Sequence, residues 1–574
     1  MKNNNFKGSL RLDWINKNLS LYYEIDETEG KGVRPVWVPK NDIRVAEPRI
    51  LRFEKNYGDA ISENMLIKGD NLLVLRSLVE MFKGRPEKEK VKCIYIDPPF
   101  NTGNAFEKYD DNLEHSEWLT MMRDRLYLLR KLLRKNGVVF VHLDDKEVAY
   151  CRVLLDEVFG RRNYLNTVTI KANSPFGFKH TSNQLFKSAN HLLIFAKDAA
   201  ELKFEKTFIE KGYDRAYKWI FDDINKAEKK WEWKNIEEVV AKELGFEDVK
   251  NAKKILGAGE FEAELAIFAI KNADRVFRTA SVTGGARLKR IKTLEKSREL
   301  KNIIVRHPND DMDYRFIGGE RVLFYKERLQ EIDSELLPVE VITDIWDDIS
   351  WEGISGEGGV DFPKSKKPER LIQRIISLST KKGDLVFDSF AGSGTTGAVA
   401  HKMERRWLMV EMGRQADKLI IPRLQRVING SDHTGISKDT NWQGGDGFKY
   451  YKLGESLINE QDMNWVMKAE EMAEAIFLHF QYKPIKADWL EKNNMYLGKH
   501  QSARYYFALA FASRELKTLN EELHDKIIVS LDKEKFRHLT IFTNVAVAVP
   551  PEALDERVFI KKIPAAILRE YNLL

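Results

Sequence analysis

Residues 97–100 combine a carboxylate, two rigid prolines and an aromatic ring directly after the apolar run 91–96. The prolines stiffen the loop and leave the backbone carbonyls of Asp97 and Pro98 without local donors. A carboxylate and a carbonyl together can accept both hydrogens of one –NH2 group, and the ring of Phe100 offers a flat surface for stacking of a base. The alternative is an ordinary turn after a buried strand, which the motif taken alone favours.

A second stretch, residues 388–395, reads DSFAGSGT and lies between a predicted strand and a predicted helix. Its glycines permit a sharp turn and close approach of the backbone to a ligand, and the helix start supplies free N–H groups. The next predicted strand ends in Glu411, which can accept hydrogen bonds from both hydroxyls of a ribose. This order predicts a site for an adenosine-type cofactor. A P-loop is excluded because Thr395 directly follows Gly394, with no lysine between them.

Apolar patterns on both sides of these motifs predict the elements that position them. The predicted strands are 65–68, 91–96, 138–143, 385–388 and 407–411. The clearest helix is predicted over 116–135 and is expected to stop at Asn136-Gly137. Alternating strands and helices predict an α/β fold with a mostly parallel sheet, helices on both faces, and ligands at the carboxyl ends of the strands.

The α/β rhythm is lost between about 200 and 340 and then returns, so an insertion interrupts the domain. The predicted segments are an N-terminal segment (1–60), the first half of the α/β domain (61–200), the insertion (201–340), the second half (341–432) and a C-terminal α+β domain (433–574). A chain of 574 residues is too long for one ordinary core, which agrees with this division.

Composition narrows the class of protein. Hydrophobic residues make up 43% and charged residues 32%, which is typical of a globular protein. The sequence has no apolar run of membrane-spanning length and no secretion signal, so we expect a cytoplasmic protein without membrane association. The two cysteines form no CxxC pair, and one histidine beside two acids, at 142–145, is poor evidence for ligation. No metal site is predicted.

Positive charge is concentrated in the middle of the chain. Residues 161–330 contain 34 Lys and Arg against 25 Asp and Glu, an excess of nine, whereas the whole chain carries +6. This distribution indicates a polyanionic partner, with solvated helix faces as an equal alternative. The candidate phosphate contacts are Arg287, Lys289 and Arg290. Trp231 and Trp233 could stack on bases, but ordinary packing is favoured for both.

DPPF at 97–100 preceding FAGSGT at 390–395, with a large insertion between them, resembles the beta class of DNA amino-methyltransferases. Further stretches similar to that family are GDN (69–71), IDPPFNTGNAFEKYDD (96–111), VFVHLDDKE (139–147), DIWDDI (344–349) and FPKSKKPERLI (362–372). They look most like the modification subunit of type III restriction–modification systems. The resemblance covers about 65–200 and 340–430 and is vague between 200 and 340, where such proteins read different DNA sites.

The resemblance implies a Rossmann-like methyltransferase domain, interrupted by a target-recognition domain, that moves a methyl group from S-adenosyl-L-methionine to N6 of a flipped-out adenine. The implied target-binding residues are Asp97, Pro98, Pro99 and Phe100. The implied cofactor-binding residues are Asp70, Asn71, Lys367, Pro368, Asp388, Phe390, Ala391, Gly392, Gly394, Thr395 and Glu411. Within this set Asp388 orders the loop, Glu411 holds the ribose, Asp70 lies near the cofactor's adenine, and Lys367 with Pro368 closes the pocket.

The resemblance also implies partners: double-stranded DNA, a second copy of the chain in a homodimer, and a separate restriction subunit with helicase and nuclease motifs. The family more commonly has DPPY, so Phe100 keeps the stacking surface and lacks the hydroxyl. Aspartate rather than serine at position 97 favours adenine N6 over cytosine N4. A cytosine-N4 or RNA-base methyltransferase and an inactive DNA-specificity subunit are the alternatives, and the intact acid, prolines and glycines argue against the second.

Overall fold

The structure is a computed structural model. It describes residues 10–25, 33–46, 48–49, 51–99, 115–172, 185–205, 207–308, 314–332, 335–362 and 365–454, with short strands between 496 and 562. Phe100 and the similar run that follows it, 101–111, lie outside the described residues.

The amino-terminal part of the described chain alternates strands with helices. Its strands are β1 (Leu19–Ile25), β2 (Val33–Pro39), β3 (Leu51–Gly58), β4 (Met65–Lys68), β5 (Val91–Ile96), β6 (Leu133–Leu143), β7 (Tyr164–Lys171) and β8 (Ala189–Ala196). Its helices are α1 (Ile43–Ala46), α2 (Asn71–Phe82), α3 (His115–Leu132) and α4 (Val148–Phe159).

The middle part has shorter strands and its own helices. The strands are β9 (Phe208–Glu210), β10 (Trp219–Phe221), β11 (Trp233–Asn235), β12 (Val276–Ala280), β13 (Val305–Arg306), β14 (Arg315–Ile317), β15 (Glu320–Phe324), β16 (Leu329–Ile332) and β17 (Glu335–Val341). The helices are α5 (Ile236–Glu243), α6 (Val249–Leu256), α7 (Ala258–Lys271) and α8 (Gly284–Leu300).

The last part returns to the α/β pattern and ends in strands. These are β18 (Ile345–Trp346), β19 (Leu385–Asp388), β20 (Arg406–Glu411), β21 (Gly447–Leu453), β22 (Tyr496–His500), β23 (Ala503–Phe507), β24 (Thr518–Leu519), β25 (His538–Thr543), β26 (Ala546–Val547) and β27 (Val558–Lys562). The helices are α9 (Glu369–Ser379), α10 (Thr395–Lys402) and α11 (Ile421–Ile428).

A ten-stranded mixed sheet has the order β18-β7-β8-β6-β5-β19-β20-β4-β21-β3. The six neighbours from β6 to β21 run parallel, while β8 and β3 are antiparallel to the strands beside them. β5 reads VKCIYI and is buried along its whole length, as expected for a parallel strand covered on both faces. The sheet is therefore the α/β core that the alternating pattern predicts.

The two faces of this sheet are covered by different helices. Alternate strand residues such as Ile94, Phe387 and Val410 share one apolar cluster with α2, α3 and α4. On α10, a β-carbon added to Gly397 would meet Met409, which belongs to the opposite face. Helix α10 contacts α9 and α11 as well as β19 and β20, while α9 contacts β5 and α11 contacts β3. The carboxyl ends of the central strands thus open between two helical layers.

Two strands extend the sheet beyond the bounds that the sequence predicts for the α/β domain. β3 falls in the predicted N-terminal segment, and β21 falls in the predicted C-terminal domain, yet they pair with each other and β21 also pairs with β4. The domain boundaries predicted at 60 and 432 are therefore corrected to include both strands. The pairing joins segments almost 400 residues apart, which local sequence patterns do not reveal.

The chain divides into two compact units, one formed by Met1–Glu205 with Thr343–Leu574 and one by Lys206–Ile342. The second, called the inserted unit here, overlaps the insertion that the sequence predicts at 201–340. It contains a six-stranded sheet and a three-stranded sheet in which β17 pairs with β9, so that Val341 lies opposite Phe208. Within the described parts of the chain, none of the helices combines the length and apolar character needed to cross a bilayer.

Candidate active site

Four neighbouring parallel strands end at one edge of the sheet, and each leads into a motif singled out from the sequence. In order along the edge, β5 leads to Asp97, β19 to the loop that begins at Asp388, β20 to Glu411, and β4 to Gly69-Asp70. In the pairing of β5 with β19, Ile94 lies opposite Phe387, and the two strands end soon afterwards at Ile96 and Asp388. The fold brings the acidic DPP motif beside the glycine-rich loop, as ligand binding at strand ends requires.

Asp97 lies at the start of a loop attached to two other elements. The indole Nε1 of Trp118, on α3, donates a hydrogen bond to the Pro99 carbonyl at 2.7 Å. The ammonium of Lys367, just before α9, forms an ion pair with Asp97 Oδ2. The Asp97 side chain is 17% exposed, although its Oδ1 atom is buried.

The Asp388 side chain joins the start of the glycine-rich loop to the first turn of α10. Its Oδ1 accepts a hydrogen bond from the Phe390 N–H at 2.9 Å, and its Oδ2 accepts one from the Thr396 hydroxyl at 2.5 Å. Burial raises the pKa of Asp388 to about 7, with the charges of Asp97 and Glu411 adding to the rise and the two hydrogen bonds opposing it. This coupling of three carboxylates fits their convergence on one cleft.

The loop takes a shape that requires glycine at two positions. Gly392 and Gly394 have φ of +53° and +76°, in the left-handed region that side chains disfavour. A β-carbon on Gly394 would lie 2.9 Å from Ile420, so no side chain fits there without a shift. Ala391 donates to the Val410 carbonyl at 3.1 Å, which fixes the loop to β20. The left-handed backbone at both positions, and the close packing against Ile420 at the second, therefore account for the glycines.

Glu411 is 2% exposed and binds the backbone on both sides of the loop. Its Oε2 accepts a hydrogen bond from the Gly392 N–H at 2.8 Å, and its Oε1 accepts one from the Gly413 N–H at 2.9 Å. The two bonds hold the Glu411 carboxylate against the glycine-rich loop and against the turn that follows β20. Its role toward a ribose stays a prediction.

Asp70 and Asn71 brace the neighbouring turn. Asp70 caps α2 by accepting hydrogen bonds from Leu72 N and Leu73 N at 2.8 and 3.3 Å, and its other oxygen pairs with Arg125 at 3.3 Å. Asn71 donates to the Ser389 carbonyl at 2.8 Å and accepts from Arg125. Asn71 therefore joins the β4 turn to the glycine-rich loop. The predicted proximity of Asp70 to the cofactor's adenine stays a prediction, and its carboxylate already serves the helix.

A buried cluster of four charges, which the sequence did not predict, supports the loop from behind. Glu369 on α9 pairs with Lys402 on α10 at 2.8 Å and with Arg423 on α11 at 2.7 Å, and Lys402 also pairs with Asp432 at 2.8 Å. These side chains are at most 2% exposed. Arg423 also donates to the Thr395 hydroxyl at 2.8 Å and the Ser393 carbonyl at 3.2 Å. The cluster therefore fixes the far side of the glycine-rich loop.

His142 and Tyr95 form a buried pair beneath the cleft. The Tyr95 hydroxyl lies 2.9 Å from His142 Nδ1. Burial lowers the pKa of His142 well below its usual range, and the positive charge of Lys367 lowers it further. The imidazole is therefore neutral at pH 7. Among the described residues, no three His, Cys, Asp or Glu side chains cluster as metal ligands would.

The candidate phosphate contacts in the inserted unit differ in exposure. Arg287 and Lys289 are exposed on α8. Arg290 is 7% exposed and its guanidinium lies 3.7 Å from the ring centre of Tyr314, so that side chain faces the interior of the unit. Trp231 and Trp233 pack against Phe221, with ring centres 4.9 and 6.1 Å away, which agrees with the packing role favoured for both.

Comparison with known proteins gives matches of one kind. Residues 91–421 match the DNA methylase family N6_N4_Mtase, which confirms the resemblance drawn from the motifs. The chain is 32% identical over 438 residues to the probable type III restriction-modification enzyme HindVI Mod subunit of Haemophilus influenzae. It is 27% identical over 399 residues to the EcoPI Mod subunit of Escherichia phage P1. These matches cover 71% and 60% of this chain, but only 56% of each relative.

Among solved structures, the chain is similar to a putative DNA modification methylase of Thermus thermophilus in complex with S-adenosyl-L-methionine. The identity is 14%, the match covers 67% of this chain and 99% of that chain, and the TM-score is 0.30. A TM-score this low does not define a fold, so the architecture rests on the strand order and register described above.

Proposed function

Because this chain belongs to the N6/N4 family of DNA methylases, we propose that it transfers a methyl group from S-adenosyl-L-methionine to N6 of adenine in double-stranded DNA. The observation that carries the proposal is the position of Asp97 beside the loop 388–395, at the ends of the adjacent parallel strands β5 and β19. One motif accepts an amine and the other fits an adenosine-type cofactor, and the reaction needs both in one cleft.

The chemistry explains the need for two acceptors. The lone pair of an exocyclic amine on adenine is conjugated into the ring, which makes the nitrogen a poor nucleophile. Hydrogen bonds from the amine to the Asp97 carboxylate and the Pro98 carbonyl draw the nitrogen toward tetrahedral geometry and expose that pair. Asp97 then stabilises the positive charge that develops on the nitrogen, an electrostatic contribution of the kind that often dominates catalysis. Pro99 holds the loop, and Phe100 supplies the stacking surface.

The residues of the cofactor side fit S-adenosyl-L-methionine, which supplies an electrophilic methyl group on a sulfonium. The assigned binding residues are Phe390, Ala391, Gly392, Gly394 and Thr395 around the loop, Glu411 for the ribose, Asp388 as the residue that orders the loop, and Asp70, Asn71, Lys367 and Pro368 at the rim. Two observations support the fit: the left-handed backbone at Gly392 and Gly394, which shapes the loop, and the placement of the Glu411 carboxylate against that loop. The domain is assigned to the Rossmann-like methyltransferase class.

The inserted unit is the proposed target-recognition domain. Its exposed Arg287 and Lys289 suit contact with phosphates, which fix the register of a protein on a duplex. The target base must leave the duplex to reach Asp97, so base flipping is part of the proposal. The relatives named above are Mod subunits, and the proposed assembly is a homodimer of this chain that partners a separate restriction subunit.

Asp97→Ala tests the assignment. With labelled cofactor and DNA from an unmodified host, the variant is expected to lose at least about 100-fold in methylation rate, as does an enzyme that loses one electrostatic stabiliser. Asp13→Ala, at an exposed aspartate of the same compact unit, is the matched control and is expected to act as wild type. Wild-type turnover by Asp97→Ala would refute the site, and 4-methylcytosine among the nucleosides would refute adenine.

A further inference from the structure

Lys367, just before α9, is paired with the acidic loop in a way that the family resemblance does not imply. Its ammonium forms an ion pair with Asp97 Oδ2, although 270 residues separate the two in sequence. The side chains are 8% and 17% exposed, so the pair is largely removed from water. The same ammonium lies 3.3 Å from the Ser365 carbonyl, which offers it a second acceptor.

Several charged or titratable groups interact with Asp97 or with its lysine partner. Tyr95 on β5 and Asp388 on β19 interact electrostatically with Asp97. Lys367, before α9, pairs with Asp97 and interacts with His142 on β6. Tyr95 and His142 are neutral at pH 7 because burial disfavours their charged forms. Asp388 is a second acid, so in the described part of the cleft Lys367 supplies the positive charge that balances Asp97.

This arrangement creates a conflict with the proposed chemistry. The target amine must donate to Asp97, and its nitrogen becomes positively charged as the methyl group is transferred. An ammonium held at contact distance from the same carboxylate would oppose that charge, and it would compete for the same oxygen. The lysine must therefore withdraw when the base enters. Its long, flexible stem permits this, and the Ser365 carbonyl can receive it.

We propose that Lys367 is a placeholder for the target amine: it occupies Asp97 Oδ2 before the base arrives and yields that oxygen to the amine. The proposal rests on the proposed function, because it gives Asp97 the role of amine acceptor. Lys367 is then a positioning residue that keeps the carboxylate ionised and correctly oriented in the free enzyme. It also makes entry of a base favourable only when the base brings an amine to replace the lysine.

The test is the pH dependence of DNA methylation by Lys367→Met. The free enzyme then lacks the counter-ion of Asp97, so the acidic limb of kcat/KM for DNA is expected to move up by about 1–3 pH units. The acidic limb of kcat, which reports the bound state, is expected to stay in place, because Lys367 has already left Asp97 there. Lys367→Arg keeps the positive charge and should restore the wild-type limb.

Lys381→Met is the matched control, since Lys381 is exposed and lies outside the cleft. It is expected to leave both limbs unchanged. A second measurement compares DNA carrying adenine with DNA carrying an abasic target. The ratio of the binding affinity for adenine DNA to that for abasic DNA should increase several-fold in Lys367→Met, because the amine no longer displaces an ammonium. Should Lys367→Met fail to fold, Lys367→Gln gives the same comparison with a polar side chain.

The possible outcomes distinguish failure of the placeholder role from failure of the proposed function. If wild type methylates adenine but Lys367→Met only raises KM for S-adenosyl-L-methionine, with both limbs in place, the placeholder role is overturned and Lys367 serves the cofactor alone. If wild type transfers no methyl group to DNA, the proposed function itself fails and the placeholder role falls with it.

Discussion

The glycine-rich loop after β19 and the acidic loop after β5 end at the same edge of the sheet but are supported differently. The first is fixed by partners from several elements: buried Asp388 within the loop, Glu411 on β20 and Arg423 on α11, and half-buried Asn71 on α2. The second is joined to α3 through Trp118 and pairs its charge with Lys367. In the proposed reaction, the cofactor pocket benefits from a rigid backbone, whereas the amine acceptor needs a partner that it can exchange for each new base.

The largest expected effect comes from removing a charge from the buried cluster behind the glycine-rich loop. Glu369→Gln leaves Lys402 and Arg423 buried with one carboxylate fewer, and breaking a buried ion pair in this way costs about 3–5 kcal/mol. We expect a marked drop in the unfolding midpoint, measured by chemical denaturation. Lys367→Met should shift the midpoint less, because it breaks one ion pair whose Asp97 side chain is 17% exposed, whereas Glu369 holds two cations that are fully buried. Glu352→Gln, at an exposed position, is the control. Equal losses in Glu369→Gln and Lys367→Met would contradict the distinction between the two loops.

A smaller effect is expected from adding a side chain to the glycine-rich loop. Gly394→Ala adds a β-carbon at φ +76° and 2.9 Å from Ile420. In the variant, the loop must adopt its ligand-binding shape against a strain of about 1–3 kcal/mol. That cost corresponds to roughly 5- to 150-fold weaker cofactor binding, measured by calorimetry. Gly383→Ala is the matched control, because Gly383 has φ +78° with open space around it and lies in the turn before β19. It should lose stability without losing affinity for the cofactor, and a similar affinity loss in both variants would argue against a specific cradle.

The smallest expected effect is a change in pH dependence. The pKa of Asp388 rises from its ordinary 3.8 to about 7 in the folded chain, so the native state holds a proton that the unfolded state has lost across that interval. The free energy of unfolding contributed by this group therefore falls as pH rises from roughly 4 to 7. Asp388→Asn should flatten that slope, as measured by denaturation at pH 5 and 7.5, with Asp13→Asn as the control. Identical slopes in Asp388→Asn and wild type would show that Asp388 is ionised throughout.

Local patterns were sufficient for the strands that carry the motifs. The predicted strands 91–96 and 385–388 coincide with β5 and β19 because both are short, mostly apolar runs that stop abruptly at an aspartate. The end of the helix predicted over 116–135 was wrong: α3 ends at Leu132 and β6 begins at Leu133. Leu133 is buried in β6, and its spacing from the preceding leucines also fits a helix. The apolar pattern therefore does not mark where α3 ends and β6 begins. Gly137 lies in an irregular stretch of the β5–β6 pairing rather than at a helix end.

The support behind the glycine-rich loop could not be predicted in this way. Glu369, Lys402 and Arg423 appear in the sequence as charged residues in amphipathic helices, and such residues are rarely buried unless they are paired. Their pairing depends on the contact of α9, α10 and α11, which joins residues 33 and 54 positions apart. The placement of Lys367 on Asp97 likewise requires the two halves of the sheet to come together. The residue types in the sequence predicted the chemistry of the site, whereas the ion pairs that balance its charges depend on long-range packing.

The antiparallel pairing of β9 with β17 puts the first and last strands of the inserted unit side by side, with Phe208 opposite Val341. A segment whose ends adjoin can be grafted into a host, or exchanged for another of different length, without stretching the scaffold on which it is mounted. Under the proposed function, exchange of this unit would change the DNA site that is read, while the strand ends that carry Asp97 and the glycine-rich loop stay as they are.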